Sequence, residues 1–194
     1  MVNIALFGTS ADPPTSAHQT ILNWLSDHYD HVAVWASDNP FKSHQTPLEH
    51  RSMMLRLLIE EIAQPNISLY QALSSPRTLE TVEQARQHWG PQVDLTLVIG
   101  GDLVTQMPRW YQIEKLLNQV QLLVVPRPGY EIEDTGVEKL RQLGANVAIA
   151  DLKAPAISST AYREYGDTQV LTPPVEDYIH KEKLYACQDA APSR

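Results

Sequence analysis

Residues 3–22 read NIALFGTSADPPTSAHQTIL. An apolar run over 4–7 stops at Gly8, a small polar loop with two prolines follows, and a helical pattern begins at His18. A short continuous run rich in Ile and Leu, ended by a glycine, reads as a strand buried on both faces. Ile21, Leu22, Leu25 and Tyr29 then share one helical face. Strand, tight loop and helix in that order form the opening of a parallel crossover unit.

The rest of the chain repeats this alternation. Runs of the same kind occupy 32–36, 95–99, 122–125 and 147–150. Between them, TPLEHRSMMLRLLIEEI (46–62) starts with a capping-box pattern, Thr46 to Glu49, with Pro47 at the first helical position. TLETVEQARQHWG (78–90) closes on Gly90, and PPVEDYIHKEKLY (173–185) reads as a last helix. The pattern predicts an α/β fold: one parallel sheet with right-handed crossovers and helices on both faces. There is no internal repeat, linker or low-complexity segment.

Composition sets bounds on what the chain does. Its 194 residues, 43% of them hydrophobic, suffice for one core. A single domain over 1–187 is expected, with 188–194 as a frayed tail. A net charge of −8 argues against nucleic acid or an anionic membrane as partner. The first basic side chain is Lys42, so neither a signal nor a transit peptide is expected. No apolar run approaches the ~20 residues of a membrane helix. The single cysteine, Cys187, rules out an intrachain disulfide and suits a cytoplasmic setting.

Ligands of open parallel sheets sit beyond the carboxyl ends of the strands, where the loop after residue 7 lies. Gly8 can take a positive φ and leave room for a ligand beside the backbone. Thr15 or Ser16 can cap the following helix, whose free N–H groups suit an anion. A histidine in the first helical turn opposes the helix dipole, so His18 is expected to be neutral until an anion joins it. An ordinary turn and a packed histidine account for either feature alone; together they favour a phosphate site. A second segment of this kind is APAISSTAYRE (154–164). There Ser158 or Ser159 can cap a short helix, and Arg163 lies on the face of Ser159. In LVIGGDLVTQMPRWYQIEKLL (97–117), Gly100 and Gly101 permit close backbone approach. Asp102 can accept a ribose hydroxyl or sit near a metal ion, and Trp110 can stack on a flat ring.

FGTSADPPTSAH (7–18) resembles the N-terminal signature of the nucleotidylyltransferases, a His-or-Thr, any residue, Gly, His tetrad. ISSTAYRE (157–164) resembles their Ile-Ser-Ser-Thr-x-x-Arg motif. Within that superfamily, NPFK, EHRSMML, IGGD, RWY and VPRPGY stand in the order found in the bacterial nicotinate mononucleotide adenylyltransferases. The likeness covers almost the whole chain. It departs from that family at Thr15 (usually His), Ala17 (usually Gly) and Ala11 (commonly Phe). In SPRTLET (75–81), only Thr78 and Thr81 match the family's segment for the pyridine carboxylate.

The resemblance implies a Rossmann-like fold and transfer of AMP from ATP to nicotinate mononucleotide, with Mg²⁺ carried mainly on the ATP phosphates. It assigns His18, Arg163 and Lys42 to catalysis. Gly8, Thr9, Ser10, Thr15, Gly100, Asp102, Ser158 and Ser159 join His18 and Arg163 around ATP. Asp12, Thr78, Trp110, Tyr111 and Arg127 are assigned to the acceptor. No protein metal site is expected. The acceptor's phosphate, with a second pKa near 6, is already a nucleophile at neutral pH and needs no general base. The alternatives are nicotinamide mononucleotide or another phosphorylated acceptor such as phosphopantetheine, and a non-catalytic nucleotide-binding regulator. An oxidoreductase is disfavoured because the G-x-G-x-x-G fingerprint is absent. The sequence leaves open whether the chain forms a homo-oligomer.

Overall fold

The computed structural model describes residues 1–39, 42, 43 and 45–185. Cys187 and the expected tail at 188–194 lie outside them. Six strands form one all-parallel sheet: β1 (Val2–Thr9), β2 (His31–Ala36), β3 (Ile67–Leu69), β4 (Val93–Gly100), β5 (Gln121–Val125) and β6 (Asn146–Ile149). Their order is β3-β2-β1-β4-β5-β6, so the winding reverses between β1 and β4. Seven helices are described: α1 (Ser16–His28), α2 (Leu48–Ile62), α3 (Thr78–Trp89), α4 (Ile113–Leu117), α5 (Asp134–Gln142), α6 (Ser159–Tyr165) and α7 (Pro173–Glu182). The expected single-domain α/β architecture is present.

Strand alternation divides the core in two. Ile4 and Leu6 of β1 join Leu95, Leu97 and Ile99 of β4 under Leu79, Val82 and Ala85 of α3, Leu116 of α4 and Leu140 of α5. Ala5 and Phe7 point to the other face, with Val32 and Val34 of β2, beneath Leu22 and Leu25 of α1, Leu55 and Leu58 of α2, and Val175 and Ile179 of α7. A strand covered by helices on both faces must be apolar at every position, which is why β1 reads as a run rather than an alternation. Leu22 and Leu25 are fully buried, as the helical pattern requires.

Three local expectations are corrected. β3 is three residues long, Ile-Ser-Leu, too short to register as an apolar run. β6 is an edge strand whose residues are largely exposed, with Ile149 51% accessible, so it is not buried on both faces. The α2 capping box is not made: Pro47 is itself the N-cap residue and no side chain caps this end. Thr46 is used otherwise, its carbonyl accepting from Arg51 Nε at 2.8 Å. Gly90 does close α3, at φ 86°. Among the described residues, no helix is long and apolar enough to cross a membrane.

Candidate active site

The loop joining β1 to α1 leaves the sheet at the reversal point, where α/β folds bind ligands. Gly8 does not bend it. Gly8 continues β1, pairs with Trp35 of β2 and lacks a positive φ. A Cβ on Gly8 would stand 2.6 Å from the Trp35 indole, so the missing side chain makes room for this ring rather than for a ligand. The left-handed residue is Ala11, at φ 47°.

Thr15 is the N-cap of α1, and His18 is the third residue of the helix. The Thr15 backbone N–H donates to His18 Nδ1 at 3.0 Å, so the histidine takes the place usually filled by Glu or Gln in a capping box. A backbone amide can only donate, hence Nδ1 carries no hydrogen. The ring proton must then be on Nε2, which lies 3.0 Å from Thr9 Oγ1 and donates to it. Burial, reinforced by the nearby Arg127 charge, lowers the His18 pKa to about 4. His18 is therefore a neutral imidazole with one fixed N–H donor at the mouth of the loop. This goes beyond the dipole argument: the helix end accepts the ring only in its neutral form.

Cations gather around that donor in a chain that is acidic overall. Lys42 Nζ donates to Ser10 Oγ at 2.8 Å. Desolvation holds the Lys42 ammonium below the ordinary lysine range; Arg163, Arg127 and Arg51 repel it, and Asp102 opposes them. Arg163, on α6, donates from Nη1 to the Asp12 carbonyl and from Nη2 to Thr160 Oγ1. Arg127 follows β5 and pairs with Asp102 at 3.0 Å across the end of β4. Residues 18, 42, 102, 127 and 163 thus meet at one place.

Other expected residues fall differently. Asp12 is 4% exposed, and its carboxylate is occupied from inside the protein by the Thr46 N–H (3.3 Å) and the Tyr185 hydroxyl. Ser158 caps α6, accepting from the Ala161 N–H at 3.0 Å. The Ser159 hydroxyl donates to the Pro13 carbonyl at 2.7 Å, tying α6 to the loop. The space beside Gly100 is filled by Asp102 Oδ1, 2.5 Å from where a Cβ would lie, and that beside Gly101 by Ile132. Neither glycine opens a path for a ligand. Trp110 ends a short 3₁₀ turn and packs partly buried on the core beneath α3 and α4. Thr78 is the first residue of α3, while Thr81 is buried with its hydroxyl on the Leu73 carbonyl. Tyr111 is 47% exposed, and the Arg77 guanidinium lies 4.4 Å over its ring. This guanidinium, which also pairs with Glu80 at 3.4 Å, stands beside the RWY segment.

Arg51 is a residue sequence reasoning missed. It is 2% exposed and donates to three carbonyls: Thr46 (2.8 Å), Ser10 (2.9 Å) and Ser37 (2.7 Å). It binds the loop after β1 to the loop after β2. Its only signal in the sequence is its place in EHRSMML, which carries no spacing to Ser10 or Ser37. Among the described residues, no three His, Cys, Asp or Glu side chains are grouped to hold a metal ion.

Residues 6–165 match the model of the cytidylyltransferase-like family. A Synechocystis protein described as a probable nicotinate-nucleotide adenylyltransferase is 42% identical, over 95% of this chain and 99% of its own. The nicotinate-nucleotide adenylyltransferase of Bacillus subtilis is 28% identical over the same shares. The fold matches that of Plasmodium falciparum nicotinic acid mononucleotide adenylyltransferase complexed with NaAD, with a TM-score of 0.81 and 22% identity over 95% of this chain and 98% of that one. With loop, reversal point and relatives in agreement, the chain belongs to the cytidylyltransferase-like family, on the branch of the nicotinate-nucleotide adenylyltransferases.

Proposed function

We propose that this chain is an enzyme of NAD biosynthesis that transfers AMP from ATP to nicotinate mononucleotide, releasing pyrophosphate. The observation that carries the reading is the convergence of Lys42, Arg127, Arg163 and the His18 N–H at the sheet's reversal point, in a chain of net charge −8. Such a concentration of positive charge is costly unless a polyanion completes it, and a triphosphate meeting a phosphate monoester is such a polyanion.

The acceptor's phosphate oxygen attacks the α-phosphorus of ATP. A P–O bond forms there as the bond to the β-phosphate breaks, and the electron pair leaves on pyrophosphate. No proton has to be removed, since the monoester is largely dianionic at neutral pH. The protein's part is to position both phosphates and to stabilise the charge moving toward the leaving group. His18 Nε2–H exchanges the Thr9 hydroxyl for a phosphate oxygen. Lys42 and Arg163 neutralise the leaving group, with Thr9, Ser10, Ser158 and Ser159 shaping the wall around it; Thr15, fully buried, acts by holding the His18 ring rather than by touching ATP. Arg127 contributes by releasing Asp102, which becomes free to accept from a ribose hydroxyl. Mg²⁺ enters as part of the MgATP substrate, needing few protein ligands. Trp110, Thr78 and Tyr111 hold the pyridine ring. The setting is cytoplasmic.

The test is to incubate the purified chain with MgATP and one acceptor at a time: nicotinate mononucleotide, nicotinamide mononucleotide or phosphopantetheine. Pyrophosphate and dinucleotide are then measured. Pyrophosphate release that requires nicotinate mononucleotide is expected. A folded protein that binds ATP but releases no pyrophosphate with any acceptor would establish the regulator instead.

A further inference from the structure

Asp12 sits in the middle of the β1–α1 loop, yet its carboxylate is turned into the protein. Oδ2 accepts from the Thr46 N–H and Oδ1 from the Tyr185 hydroxyl, while the backbone carbonyl accepts from Arg163. Tyr185 lies beyond α7 in a left-handed backbone conformation (φ 54°). Its ring meets Tyr162 of α6 edge-on, with centroids 5.7 Å apart. Tyr162 precedes Arg163 on that helix, so one phenol braces both the loop and the helix that brings the guanidinium.

We propose that Tyr185 is a positioning residue: its hydroxyl, 173 residues away along the chain, anchors Asp12 and thereby sets the loop that carries Thr9, Ser10 and His18. The inference rests on the adenylyltransferase reading for its kinetic arm only. A buried carboxylate holds its place when its lone pairs are filled. Without the phenol, Oδ1 has lost a partner and Asp12 is drawn toward other donors, carrying the loop with it. Misplacing a reacting group by about 1 Å can cost about a hundredfold in rate. Burial and the adjacent carboxylate push the phenol's pKa far up, so it stays a donor at every working pH.

The experiment uses the full chain. Tyr185→Phe keeps the ring against Tyr162 and removes only the hydroxyl. Tyr178→Phe is the control: it removes another phenol from the C-terminal part of the chain, one whose hydroxyl is bonded to His50 Nδ1 on α2 at 2.8 Å rather than to Asp12. Two quantities are measured: kinetics with MgATP and nicotinate mononucleotide, and the ring ¹H–¹⁵N signals of His18 in the ligand-free protein. Tyr185→Phe is expected to lower kcat about tenfold or more, with both KM values within about twofold, in a protein that stays folded with a melting temperature a few degrees lower. It should also shift the His18 signals, while Tyr178→Phe does neither. Wild-type kcat, or unmoved His18 signals, in folded Tyr185→Phe overturns the inference. If the wild type shows no turnover, the functional reading fails and the His18 signals alone decide the role of Tyr185.

Discussion

His18 does two jobs, capping α1 through Nδ1 and offering a donor through Nε2, and His18→Gln separates them. Glutamine is a usual capping-box partner and can accept from the Thr15 N–H, but it does not titrate. Below pH 6.5 the unfolded chain takes up a proton at His18, and the folded chain refuses it until about pH 4. The stability contributed by the neutral ring is therefore complete above pH 6.5 and is lost as pH falls toward 4. The gap between 6.5 and about 4, at about 1.4 kcal/mol per unit, sets a ceiling of about 3 kcal/mol. By about pH 5, about 2 kcal/mol of it should be gone. Urea melts at about pH 7.5 and about pH 5 should show the wild type losing about 2 kcal/mol more than His18→Gln, a midpoint difference of about 1 M. Parallel losses in the two proteins would refute the fixed neutral tautomer. At the higher pH, His18→Gln should match wild-type stability, whereas His18→Ala loses the cap and about 1 kcal/mol. Both should lose about a hundredfold in kcat, the usual effect of removing one transition-state donor. Full activity in either folded variant would remove His18 from the reaction.

Arg163→Lys keeps the charge but cannot hold Asp12 O and Thr160 Oγ1 at once, so kcat/KM for ATP should fall about tenfold or more; wild-type ATP kinetics would mark Arg163 as a surface charge. At the acceptor, the enzyme should favour nicotinate over nicotinamide mononucleotide by about tenfold or more in kcat/KM, because charge-assisted bonds favour the acid. Arg77→Ala should narrow that ratio and Trp110→Ala should weaken both acceptors while sparing ATP; equal values for acid and amide in the wild type would refute the carboxylate pocket. Gly8→Ala drives a methyl into the Trp35 ring and should cost about 1–3 kcal/mol in a denaturant melt; an unchanged midpoint would show that the ring moves freely.

Much of the architecture is legible because it is periodic. The apolar run of β1 and the spacing of Leu22 and Leu25 are local patterns, and each predicts burial that the folded chain shows. The paired FGTSADPPTSAH and ISSTAYRE segments likewise mark the two loops that meet at the candidate site. Short or exposed elements escape this kind of reading: β3 has too few residues to show a period, and β6 is an edge. The use made of each residue was decided only by tertiary structure. Gly8 and Gly100 look like openings in the sequence, but Trp35 and Asp102 occupy the space they leave. Asp12 looks like a ligand for substrate until Thr46 and Tyr185 close on its carboxylate. Arg51 shows no partner in the sequence until three carbonyls from the loops after β1 and β2 surround it. The physical reason is common to all of these. Periodicity reports which face of an element is buried, because that depends on neighbours three or four residues away. The partner of a buried polar group depends on which strands the winding order sets side by side, and no spacing along the chain encodes the distance from residue 12 to residue 185.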